Sequence, residues 1–115
     1  MRLNVGVYVK GSTLILRLRG ELDDVSVSDL RMKISKYIDD YKINNLIINM
    51  ANLEFMDSSG VGFIIGRFHQ LRKYNGNVTL CNINKKIEKL IELSGLYKIC
   101  IIRETEDATL LALGG

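Results

Sequence analysis

A short apolar run, Leu46-Ile47-Ile48-Asn49-Met50, entered through the turn residues Asn44-Asn45, constrains this chain more than any other segment. A run of that length and composition fits a central strand covered on both faces, which requires helices above and below one sheet. The 115 residues allow one domain, residues 1–115, with no room for a second domain plus a linker.

The flanking patterns supply the rest of such a fold. Val5, Val7 and Val9 alternate with Gly6 and Tyr8, and Thr13 to Arg19 alternates again after the Gly11-Ser12 turn. These two runs predict a hairpin with one buried face, closed by Gly20-Glu21-Leu22-Asp23-Asp24. Val27, Leu30, Ile34, Tyr37, Ile38 and Tyr41 then recur at helical spacing, with Asp23, Asp24 or Ser26 available as the cap. Val61, Ile64, Ile65, Phe68 and Leu71 predict a second helix reaching Tyr74, ended in left-handed fashion at Asn75-Gly76. Asn77 to Asn82 predicts a strand, Ile87 to Ser94 a helix closed by Gly95, Ile99 to Ile102 a strand, and Glu104 to Leu113 a last helix. Strand–helix alternation after the hairpin implies parallel pairing, so the expected fold is a small α/β sandwich with a mixed, mostly parallel sheet of about five strands and four helices. Ligands and partners of such sheets gather where strands end and helices begin, here Gly20 to Ser26 and Ala51 to Gly62.

The rare residues weigh against catalysis. One His, two Cys and no Trp or Pro cannot build a usual four-ligand zinc site without carboxylate help, and only His69 could serve as the base of a hydrolase triad. His69 lies about three turns along the helix from Ser58, and no Gly-x-Ser-x-Gly elbow surrounds that serine, so no catalytic residue and no cofactor or metal is expected. The net charge of +3 is interspersed, with Lys85, Lys86 and Lys89 the only cluster, and no basic–aromatic stripe suggests nucleic-acid binding. No run of about 18 apolar residues spans a bilayer, and the start Met1-Arg2-Leu3-Asn4-Val5 lacks a signal-peptide core. Cys81 and Cys100 sit in apolar runs and read as buried, reduced thiols, so the expected compartment is the cytoplasm.

Four segments invite a sharper reading. Gly60-Val61-Gly62 to Gly66 resembles part of a dinucleotide fingerprint, but the third glycine falls one residue late. Gly62 and Gly66 are better read as one side of a helix that approaches a neighbour closely. Asp23-Asp24 is a weak metal signal and a better cap or partner for an Arg. Leu113-Gly114-Gly115 resembles a ubiquitin-like tail, yet the helical pattern running into it favours a frayed helix end. Ser58 and Ser59 stand at a helix start; a cap uses only one hydroxyl and leaves the other beside a positive helix end that accommodates a phosphate.

Phe55-Met56-Asp57-Ser58-Ser59-Gly60-Val61-Gly62 resembles the signature loop of STAS-domain anti-sigma factor antagonists. Gly20-Glu21-Leu22-Asp23 resembles the segment after that family's second strand, and Ser94-Gly95-Leu96 its turn after the third helix. Element order agrees over the whole chain; Val61 departs from a commoner Leu, and the Gly-Gly end offers little of the usual C-terminal extension.

The resemblance implies a single STAS-type sandwich that is no enzyme. It implies an anti-anti-sigma factor whose unmodified form binds an anti-sigma factor and releases the sigma factor in sporulation transcription control. That anti-sigma factor is itself a serine kinase that supplies ATP and phosphorylates the serine after the aspartate, Ser58 here, and a PP2C-type phosphatase resets it. By the same resemblance, Asp23, Asp57, Ser58, Ser59, Gly60 and Val61 form the partner-binding surface of a protein that is monomeric when free. The alternative is a STAS module of another type, a nucleotide-sensing or transporter-associated domain.

Overall fold

The computed structural model describes residues 2–114. Its elements run β1 (Asn4–Lys10), β2 (Thr13–Leu22), α1 (Asp24–Tyr41), β3 (Asn45–Met56), α2 (Ser58–Leu71), β4 (Asn77–Cys81), α3 (Lys85–Ser94), β5 (Ile101–Arg103) and α4 (Glu106–Ala112). The sheet order is β1-β2-β3-β4-β5, with β1 antiparallel to β2 and every other pairing parallel. This is the mixed five-stranded sheet with four helices that the periodicities predict.

The Leu46–Met50 run occupies the central strand and is covered on both sides. Leu46, Ile48 and Met50 join Leu14, Leu16, Leu18 and Leu22 of β2 in a large core with Val27, Leu30, Ile34 and Ile38 of α1. Phe63, Ile64 and Leu71 of α2 and Ile87 and Ile91 of α3 complete that core. On the opposite face Ile15, Ile47 and Cys81 form a smaller cluster against Leu110 of α4. The alternation of period two puts Ile47 behind the sheet and its neighbours in front of it. A second device holds α4: Arg17 donates to both carboxylate oxygens of Glu106, at 3.0 and 2.7 Å, and Asn49 Nδ2 adds a bond of 3.1 Å.

Several local expectations change. Val5 and Val7 are half-buried, but Val9 is exposed at the outer end of an edge strand. Helix α2 stops at Leu71, and a 3-10 turn, Arg72–Tyr74, carries the chain on. The left-handed residue is Asn75 at φ 54; Gly76 is required instead by close approach, since a Cβ there would lie 2.4 Å from the Asn44 carbonyl oxygen. Gly62 and Gly66 do not mediate helix contact, because a Cβ at either position would meet nothing within 4 Å. The chain approaches closely at Gly60. Strand β3 is much longer than its apolar run, so the junction expected over Ala51 to Gly62 shrinks to Asp57 alone. Ala51, Asn52, Glu54 and Phe55 are exposed, which hides the strand from any hydrophobic count; its pairing with β2 defines it. At the chain's end α4 closes before Leu113 and Gly114, and Gly115 lies outside the described residues.

Candidate functional site

Leu22 and Met56 lie opposite each other where the parallel strands β2 and β3 end. The next residues, Asp23 and Asp57, therefore leave the sheet side by side, and each begins a helix. The Asp57 N–H donates back to the Leu22 carbonyl at 3.3 Å, tying the two exits together.

Both aspartates are N-caps in extended backbone. Asp23 Oδ1 accepts from the N–H groups of Val25 and Ser26, at 3.1 and 3.0 Å. Ser26 Oγ in turn accepts from the Asp23 N–H at 3.0 Å and donates to the Glu21 carbonyl, which completes a reciprocal cap. The Ser26 N–H is the main reason that the Asp23 carboxyl titrates below its ordinary range. Asp57 Oδ1 accepts from the Ser59 N–H at 2.9 Å. The capping role that the sequence offered to a serine hydroxyl at this end thus belongs to Asp57, because the helix starts at Ser58 and the cap is the residue before it.

This assignment leaves the hydroxyls uncommitted. Ser58 is the first residue of α2, exposed, and its hydroxyl makes no hydrogen bond among the described residues; Ser59 is half-buried and contributes its N–H. Gly60 is buried, and a Cβ there would stand 2.5 Å from Met56 Cγ and 2.9 Å from the Leu22 carbonyl oxygen. Only a glycine lets the first turn of α2 seat on the two strand ends. Val61 is half-buried against the main core. The structure thus gathers Asp23, Asp57, Ser58, Ser59, Gly60 and Val61 at one end of the sheet.

Other candidates fall away from it. His69 is exposed, edge-on to the Phe68 ring at 5.4 Å, and about 16 Å along the helix from Ser58. The Asp23 carboxylate is occupied by its cap, and among the described residues no group of three His, Cys, Asp or Glu side chains could hold a metal ion. No helix among them is long and apolar enough to cross a membrane. Cys81 and Cys100 are buried free thiols, pushed up to about 11 and about 12 chiefly by burial.

Sequence reasoning missed two exposed apolar side chains beside the site as contact candidates, Val25 in the first turn of α1 and Phe55 two residues before Asp57. Val25 is off the helix's apolar spacing, and that mismatch was the available signal. It also missed Asn84, the N-cap of α3, whose side-chain amide reaches carbonyls of β3. No local pattern reveals a contact between residues more than thirty positions apart.

Comparison with known proteins bears on this arrangement. The STAS domain matches residues 4–109. The anti-sigma F factor antagonist of Paenibacillus polymyxa is 34% identical over 113 residues, covering 98% of this chain and 97% of that protein. The anti-sigma factor antagonist SpoIIAA, solved in its unphosphorylated form, shares 31% identity with a TM-score of 0.78 and 98% coverage of each chain. The phosphorylated form of the Bacillus cell fate determinant SpoIIAA shares 33% identity with a TM-score of 0.74, covering 96% of this chain and 98% of that one.

Proposed function

We propose, from the premise that this chain belongs to the STAS domain family, that it is an anti-sigma factor antagonist of the SpoIIAA (stage II sporulation protein AA) kind, switched by phosphorylation of Ser58. The unmodified protein binds an anti-sigma factor and releases the sigma factor that it holds. The anti-sigma factor acts as an ATP-dependent serine kinase on Ser58, and a PP2C-type phosphatase restores the free hydroxyl. The chain itself is a regulatory, non-enzymatic domain, residues 1–115. Support comes from full-length similarity to proteins named as anti-sigma factor antagonists, one of them solved in phosphorylated and unphosphorylated forms.

The observation that carries the residue assignment is the division of labour at the start of α2. Asp57 caps the helix, so the exposed Ser58 hydroxyl can be modified without cost to the cap. The positive helix end tolerates a phosphate there and favours it by ~0.3–1 kcal/mol. The fold therefore changes little, and the effect falls on the partner surface formed with Asp23, Ser59 and Val61, with Gly60 seating the turn beneath.

A phosphoserine adds ~1.5 to 2 negative charges to the partner surface, next in sequence to Asp57, where they meet the partner's own groups. A unit-charge pair at ~4 Å with an effective dielectric near 20 interacts by ~4 kcal/mol before desolvation and screening. A hundredfold change in affinity needs only ~2.8 kcal/mol, so charge and bulk at this one position suffice for the switch.

The test incubates wild type, Ser58→Ala and Ser59→Ala with an anti-sigma F factor and ATP and reads intact mass. Wild type and Ser59→Ala should each gain one phosphate and Ser58→Ala none. Phosphate on Ser58→Ala would refute the assignment.

A further inference from the structure

We propose that Asn84 is the positioning residue for Ser58: its side-chain amide holds the irregular half of β3 in the shape that delivers Asp57 and Ser58 beside Asp23. The inference rests on the reading of Ser58 as the phosphorylated residue.

Strand β3 does not run evenly along β2. Arg17 pairs with Asn49 and Leu22 with Met56, so β3 spends two more residues than β2 over the same span. One irregularity lies between Asn49 and Asn52 and the other between Leu53 and Phe55. Extra residues of this kind bend a strand and leave backbone groups without ladder partners. On its other side β3 loses support at the same place, since its ladder with β4 ends at the Asn49–Cys81 pair. Residues 50–56 thus have β2 along one edge and no strand along the other.

The start of α3 fills that edge. Asn84 Nδ2 donates to the carbonyls of Met50, Leu53 and Ala51 at 2.9, 2.8 and 3.2 Å, two hydrogens shared among three oxygens. Its Oδ1 accepts from the Lys86 N–H at 2.8 Å and caps α3. Lys86 then pairs its ammonium with the carboxylate of Glu54, which lies within the second irregularity. Both irregularities are therefore fastened to the first turn of α3, and one side chain performs two tasks. A carboxamide is required, because the cap needs an acceptor while the clamp needs a donor. Release of the clamp lets β3 redistribute its extra residues, and a shift of about 1 Å at a reacting group can lower a rate by about a hundredfold.

Asn84→Asp keeps the cap but turns an oxygen toward three carbonyl oxygens. Asn84→Ser keeps a shorter cap and removes the clamp without adding charge. Both are compared with wild type well below the unfolding transition, by circular dichroism, by amide hydrogen exchange over residues 52–57 and by kcat/KM for phosphorylation by an anti-sigma F factor with ATP. The expected result is wild-type helicity, at least about tenfold faster exchange over that segment and at least about tenfold lower kcat/KM. If either folded variant exchanges and is phosphorylated as wild type, the proposal is overturned; so it is if stability falls while kcat/KM holds. If wild type takes no phosphate, or Ser58→Ala takes it equally, the Ser58 reading fails instead. The exchange measurement then still judges the clamp, with unchanged exchange counting against it.

Discussion

The three glycines of α2 make opposite demands, and replacing each by alanine tests how the switch turn is seated. At Gly62 and Gly66 the new methyl meets nothing within 4 Å. Only helix propensity and chain entropy act there, so each substitution should stabilise the protein by about 0.5–1 kcal/mol. At Gly60 the methyl would fall about 0.9 Å short of ordinary 3.4 Å contact with Met56 Cγ and about 0.5 Å short with the Leu22 carbonyl oxygen. That oxygen cannot retreat freely, since it belongs to the end of β2 and accepts the Asp57 N–H. Overpacking against so rigid a floor costs about 2–3 kcal/mol, and the propensity gain offsets at most about 1.

Gly60→Ala should therefore lose about 1–2 kcal/mol net, while its neighbours on the same helix gain. For a domain of this size, about 4 °C of melting temperature corresponds to 1 kcal/mol. Thermal denaturation followed by circular dichroism should place Gly60→Ala about 4–8 °C below wild type and the other two about 2–4 °C above it. A Gly60→Ala protein that melts at or above wild type would refute the close seating of α2 on the two strand ends.

Two further predictions concern the sheet's other face and the thiols. The Arg17 guanidinium holds the Glu106 carboxyl below its ordinary 4.5 against the opposing effect of burial. The stability that this carboxylate contributes is complete above about pH 4.5 and is lost as pH falls through the lowered folded value. Glu106→Gln should cost about 1–2 kcal/mol at neutral pH and lose less than wild type on acidification to about pH 3. Parallel urea midpoints for the two proteins across that range would contradict the linkage. Cys81 and Cys100, buried and with thiols raised to about 11 and about 12, should resist a thiol reagent at about pH 8 in the native state and react in denaturant. Rapid labelling of the native protein would show that one of them is not packed as described.

Much of this molecule is decided locally and is therefore legible in the residues. A five-residue apolar run demands cover on two faces, helical spacing marks the helices that give it, and a hairpin pattern sets one antiparallel edge; these depend on neighbours a few positions apart. The candidate site is legible for the same reason, as an aspartate and two serines placed before a helical pattern. What the residues do not disclose are relations between distant segments. The exposed half of β3 has no hydrophobic signature because pairing with β2, rather than burial, makes it a strand. Gly60 and Gly62 look equivalent in the chain, and only the ends of β2 and β3 make one indispensable and leave the other in open space. Asn84, which no sequence pattern singles out, becomes a clamp only where folding brings its amide to carbonyls more than thirty residues away. Spacing and polarity determine which elements form, while the packing of their ends decides which of two adjacent serines is exposed and which is half-buried.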